Sequence, residues 1–135
     1  MTRFVPEDVI PPAPFLKGED DLKSIQLAPG LIIEEVATEP LVDMPSILKF
    51  DGDGQMWICE LVGYMPDVNG KGENIAQGRI AILTDSDDDG RVDKRSIFLE
   101  KLLLPRSLYL LDDGILWANQ ESLFFQGRDG NKPVG

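Results

Sequence analysis

Pro45-Ser-Ile-Leu-Lys-Phe-Asp-Gly-Asp-Gly-Gln-Met-Trp-Ile-Cys-Glu60 returns sixty residues later, without a gap, as Pro105-Arg-Ser-Leu-Tyr-Leu-Leu-Asp-Asp-Gly-Ile-Leu-Trp-Ala-Asn-Gln120. Pro45/Pro105, Leu48/Leu108, Asp53/Asp113, Gly54/Gly114 and Trp57/Trp117 coincide at that offset. Each copy reads as a strand, an Asp-Gly hairpin turn and a second strand carrying tryptophan. A further echo relates 80–90 to 122–131 at an offset near 40. The shortfall between the two offsets places an insertion at 63–78, which is loop-like in its glycine and asparagine content. A unit of about four short strands repeating every 60 residues or so predicts an all-β chain built as a partial β-propeller of about two blades. The alternative is a small β-sandwich with a chance duplication. Propellers close with 4 to 8 blades, so the expectation is the amino-terminal part of a larger ring.

Between the two copies lies Asp85-Ser86-Asp87-Asp88-Asp89-Gly90-Arg91-Val92-Asp93. Asp85, Asp87 and Asp89 fall at positions 1, 3 and 5 of a calcium loop, Gly90 turns the chain at 6, Arg91 offers its carbonyl at 7, and Asp93 stands at 9. Position 12 is Ser96 instead of a bidentate glutamate. The flanks 79–84 and 96–99 are β-branched or aromatic and read as strands, so the loop joins two strands and is no EF-hand. Converging carboxylates repel, and a cation removes that repulsion. Oxygen ligands without nitrogen or sulfur favour Ca²⁺ over zinc, and an irregular ligand set favours it over Mg²⁺. The competing interpretation is a solvated acidic turn.

Composition sets the limits. The chain has 135 residues, a formal net charge of -11 and a hydrophobic content of 42%, enough for a core. That charge disfavours nucleic acid and anionic membranes as partners, which need basic patches. No run is long enough for a membrane span, and no signal peptide is visible at the start. With no histidine and one cysteine, Ser-His-Asp chemistry, histidine zinc sites and Cys-x-x-Cys-His haem attachment fall outside these residues. Cys59, in the apolar run 56–60, reads as a buried thiol. Glu60 and Tyr64 could line a central pocket, but a glutamate at a strand end is more often a solvated or salt-bridged surface residue.

The amino-terminal side differs in kind. Residues 1–26 read as an extended arm, with Pro6, Pro11, Pro12 and Pro14 opposing regular structure. A short helix is expected over 19–25, acidic at its start and with Lys23 near its end. The propeller part then spans 27–135, its first strand expected at 31–37 (Leu-Ile-Ile-Glu-Glu-Val-Ala).

Leu27-Ala-Pro-Gly-Leu, Glu35-Val-Ala-Thr-Glu-Pro-Leu-Val42, Phe50-Asp-Gly-Asp-Gly-Gln-Met-Trp-Ile-Cys-Glu60, Gly63-Tyr64 and Gly78-Arg-Ile-Ala-Ile-Leu-Thr-Asp-Ser-Asp-Asp-Asp-Gly together resemble the start of the membrane-bound dehydrogenase family. Its propeller is similar to the soluble glucose and sorbosone dehydrogenases, and many members continue into helical repeats and cytochrome c. The resemblance covers roughly residues 12 to 130. It implies a periplasmic oxidoreductase acting on a sugar or alcohol, with pyrroloquinoline quinone as a possible acceptor in the full-length parent only. Cys59 and Leu61 depart from the residues more common in that family. The histidine that serves as general base in the glucose dehydrogenases has no counterpart here, so this chain alone is expected to be inactive. The other class is a non-catalytic calcium-binding propeller module for protein or carbohydrate.

Overall fold

The computed structural model describes residue 16 and residues 18–135. The proline-rich stretch of the expected arm lies outside them, apart from Leu16. The chain divides into two compact units, Met1–Glu35 and Val36–Gly135. The first holds helix α1 (Glu19–Ser24). Ile25 ends it in extended conformation, with φ -86° and ψ 125°. The run 31–37 forms no strand. Its apolar, β-branched sequence is suited to a ladder, but propensity alone makes no strand without a paired neighbour, and this run has none.

The second unit is all-β. Strands β1 (Pro45–Phe50), β2 (Met56–Glu60), β3 (Gly78–Thr84) and β4 (Lys94–Leu102) form one antiparallel sheet in sequence order. Strands β5 (Ser107–Leu110), β6 (Gly114–Ala118), β7 (Leu123–Asp129) and β8 (Lys132–Val134) form a second in the same way. Residues 61–77 form the long connection between β2 and β3, which takes in the expected insertion at 63–78 except Gly78, the first residue of β3.

The sheets pack face to face, because β2 and β3 are apolar on both sides. Trp57, Cys59, Ile80, Ile82 and Phe98 form the inner face of the first sheet, and Leu108 and Ile115 meet them from the second. Trp57 is fully buried, lies edge-on to Phe98 at 4.8 Å, and donates its Nε1–H to Asp51 at 2.9 Å. Arg128 of the second sheet lies over its ring at 5.4 Å. Ser46 Oγ reaches Pro105 O at one end of the stack, and Gln55 and Asn131 exchange amide hydrogen bonds at the other. The outer face of the first sheet, with Met56, Ile58 and Leu83, is roofed by Ala37, Leu41 and Val42. That covering segment is pinned by Val92 N–H to Val36 O (2.8 Å) and by Asp43 N–H to Glu60 Oε1 (3.0 Å).

The gapless repeat needs one correction. Phe50 pairs with Met56 across five intervening residues, whereas Leu110 pairs with Ile115 across four. The first turn is therefore a three-residue hairpin loop closed by Asp51 N–H to Gln55 O, with Gly54 at φ 79°, and the second is a two-residue loop. A one-residue slip moves every side chain to the opposite face. Leu48 faces Ile58, and its counterpart Leu108 faces Trp117. Trp117 thus stands in the place of Ile58, and Leu116 in the place of Trp57. With β1 laid on β5, the outer face of the first sheet corresponds to the inner face of the second, so the two sheets are stacked in the same sense.

Candidate metal centre

In a meander the connections alternate between two ends. The turns β1–β2, β3–β4, β5–β6 and β7–β8 share one end. The connections β2–β3, β4–β5 and β6–β7 share the other. The acidic loop is the β3–β4 connection, and the short turn at 130–131 stands in the corresponding place of the second sheet.

Loop geometry follows from aspartates accepting local backbone donors. Asp85 Oδ1 accepts from Asp89 N–H (3.3 Å) and Oδ2 from Gly90 N–H (2.8 Å); Asp89 Oδ1 accepts from Arg91 N–H (2.8 Å). Asp88 at φ 58° and Gly90 at φ 90° turn the chain sharply, and these bonds draw three carboxylates together. One oxygen from each of Asp85, Asp87 and Asp89 lies within 4.8 Å of the others. The neighbouring Asp89 charge, with smaller contributions from desolvation, Asp93 and Asp85, pushes the Asp87 carboxyl above its ordinary range. Such a group favours either a proton or a cation.

Asp93 stands apart from the three. Its Oδ1 accepts from Ser86 N–H at 3.0 Å and its Oδ2 from the Ser86 hydroxyl, and that hydroxyl bond holds its carboxyl below the usual range. Arg91 sits in the loop with its N–H on Asp89, as the turn requires. Ser96 lies within β4, paired with Ile82. The role of Ser86 was not drawn from the sequence, although a hydroxyl at position 2 beside an acid at position 9 is its visible signal.

The loop leads directly into the core and the covering segment. The Val92 side chain is buried beside Met56, Ile58 and Leu83. Two residues beyond Asp93, Arg95 Nη2 meets Glu60 Oε2 at 2.6 Å. Glu60 is wholly buried, and Arg79 Nε also lies 2.8 Å from its Oε2, though not aligned as a hydrogen bond. Arg79 Nη2 meets Asp43 Oδ2 at 2.7 Å. Glu60 is therefore salt-bridged, but it is buried and not the surface residue its place at a strand end suggested. Tyr64 lies under Arg106 at 5.0 Å.

The opposite end carries a cleft of about 200 Å³ lined by Glu73, Asn74, Leu103, Leu104, Asn119, Gln120 and Glu121. Glu60 and Tyr64 are not among its lining. Cys59 is buried at the sheet interface, 3.8 Å from Ser107 O, and burial pushes its thiol up to about 12. Among the described residues no helix is long and apolar enough to cross a membrane.

No curated protein and no solved structure matches the chain. A family model matches residues 17–133. The chain therefore belongs to the family described as domain of unknown function (DUF7133).

Proposed function

We propose that the acidic loop binds one structural Ca²⁺ and that the two sheets are consecutive blades of a β-propeller. Asp85, Asp87 and Asp89 supply carboxylate oxygens and Arg91 its carbonyl. Asp93 is the ninth-position group, which in such loops often acts through water. The convergence of three carboxylates within 4.8 Å carries this reading, supported by the raised Asp87 carboxyl. The role is structural because loop and cleft lie at opposite ends of the sheets. Without a bidentate group at position 12, affinity falls in the weak range of about 10⁻⁴ to 10⁻³ M, suited to a calcium-rich compartment such as the periplasm. Two four-stranded meanders stacked in the same sense support the blade reading.

For activity, the resemblance to the membrane-bound dehydrogenases supports a parent that oxidises a sugar or alcohol, with pyrroloquinoline quinone as acceptor. This chain supplies no histidine base. A second reading, a non-catalytic calcium-stabilised module for protein or carbohydrate, is favoured by the cleft, whose lining is carboxylates, amides and leucines. Thermal melts test the metal assignment. Millimolar calcium should raise the melting temperature of the chain more than equal magnesium does, and Asp87→Ala should remove the rise. Equal melting with and without calcium would reduce the loop to a solvated acidic turn.

A further inference from the structure

Three connections meet at the cleft opposite the acidic loop: the long one after β2, the β4–β5 connection and the β6–β7 turn. The first supplies Glu73, whose Oε1 accepts from Met65 N–H at 2.7 Å, a bond that fixes the carboxylate on its loop. The second supplies Leu103 and the buried Leu104, at a sharp turn where Leu104 holds φ 45°. The third supplies Gln120 and Glu121, in a turn closed by Asn119 Oδ1, which accepts from Glu121 N–H and Ser122 N–H at 2.9 Å each. Both glutamates are thus carried on tied-down backbone. Among the described residues neither has an ion-pair partner. Arg106, two residues beyond Leu104, lies over the Tyr64 ring and takes no part in the lining.

We propose that this cleft binds an aliphatic cation: an ammonium or guanidinium group on a short hydrocarbon stem, the chemistry of a lysine or arginine side chain. The inference rests on the reading of the cleft as a binding site and names its ligand class; it is independent of the calcium loop. Two carboxylates with no counter-charge in the lining, on a chain of net charge -11, attract a cation and repel an anion. The leucines suit the stem, because lysine and arginine lay their methylenes along apolar surface while the charged head stays with polar groups and water. The amide oxygens of Asn74 and Gln120 offer further acceptors for its N–H groups. Size and lining argue against a saccharide chain. The cleft holds about 200 Å³, below the range of about 300 to 1,000 Å³ typical of pockets that enclose a whole drug-sized molecule. No aromatic ring lines it to take the flat face of a sugar, and a neutral ligand would leave both carboxylates unanswered.

Titrations of the full chain, followed by NMR at the side-chain amides of Asn74, Asn119 and Gln120, test this. The probes are a capped Gly-Lys-Gly peptide, the same peptide with norleucine for lysine, pentylamine and glucose. The lysine peptide should shift these signals saturably at millimolar concentration, and the norleucine peptide should leave them in place. Glu73→Gln with Glu121→Gln should bind the lysine peptide about tenfold more weakly, two charge-assisted contacts having been lost. The glutamine at 73 still accepts from Met65 N–H, so the loop keeps its shape. Pentylamine binding as tightly as the peptide would support the inference with the free amine as ligand, and tighter binding of the peptide would support it with a chain-borne side chain as ligand. Undiminished binding of the lysine peptide to the double variant would overturn the inference. Shifts with glucose but not with the lysine peptide would overturn it and leave the cleft as a carbohydrate site, whereas no shift with any probe would overturn the binding-site reading as well.

Discussion

Asp87 is where the loop's electrostatics concentrate. Its folded-state pKa is raised above the ordinary 3.8, so the metal-free folded chain holds this proton more tightly than the unfolded chain does. The Asp87 contribution to stability therefore falls as pH rises from the ordinary value through the raised one. Asp93 runs the other way: its pKa is lowered, and its contribution is complete above 3.8 and lost as pH falls through the depressed value. Metal-free Asp87→Asn should accordingly melt above the wild type at pH 7, and the gap should close as the pH is taken below 3.8. Melts across pH without metal check the sign; an Asp87→Asn variant melting lower at pH 7 would mean that the carboxylates do not repel. Glu60 makes a separate prediction. It is wholly buried while Arg79 and Arg95 keep about a quarter of their side-chain surface. Glu60→Gln leaves two cations without their shared carboxylate, and denaturant titration should show a loss of about 3 kcal/mol, the low end for breaking a buried pair because both arginines still reach water.

At the scale of elements, the hairpins give the sharpest test of register. Trp57 and Trp117 match in sequence, yet Trp57 is fully buried, bonded to Asp51 and edge-on to Phe98, whereas Trp117 is half-buried and stacked on Phe124 at 4.2 Å. Trp57→Phe should therefore destabilise by more than Trp117→Phe, with Trp57→Ala costing about 3 to 5 kcal/mol. Equal losses in denaturant melts would say that the two hairpins are equivalent after all. The same difference explains what the sequence could and could not reveal. Strand content, the Asp-Gly turns, the long β2–β3 connection and the helix near residue 19 were legible because alternation and turn residues are local signals. The one-residue difference in turn length was not, since the residue types on either side of it match at both registers. Residues 31–37 misled for a related reason: propensity proposes a strand, but only a neighbouring edge makes one. In the loop, Asp85, Asp87 and Asp89 followed from spacing, whereas the capture of Asp93 by Ser86 depends on a hydroxyl whose direction no spacing rule fixes.

For the whole molecule, the segment over the first sheet is tied to the acidic loop through Val92 and to the strand end through Glu60, so the loop stabilises more than its own hairpin. A cation at about 100 times its dissociation constant adds about 2.7 kcal/mol to stability, shared by every element that unfolds together. The chain alone should not oxidise any aldose or alcohol with an artificial electron acceptor, because it carries no histidine base. Turnover above background with pure protein would contradict that, and would move the catalytic group onto these residues. The central claim is that one calcium ion belongs to this fold, and isothermal titration of the metal-free chain with calcium measures it most directly. One site per chain, with a dissociation constant of about 10⁻⁴ to 10⁻³ M and no heat in Asp87→Ala, is the predicted result. No binding heat at millimolar calcium, or the same heat in Asp87→Ala, would contradict it.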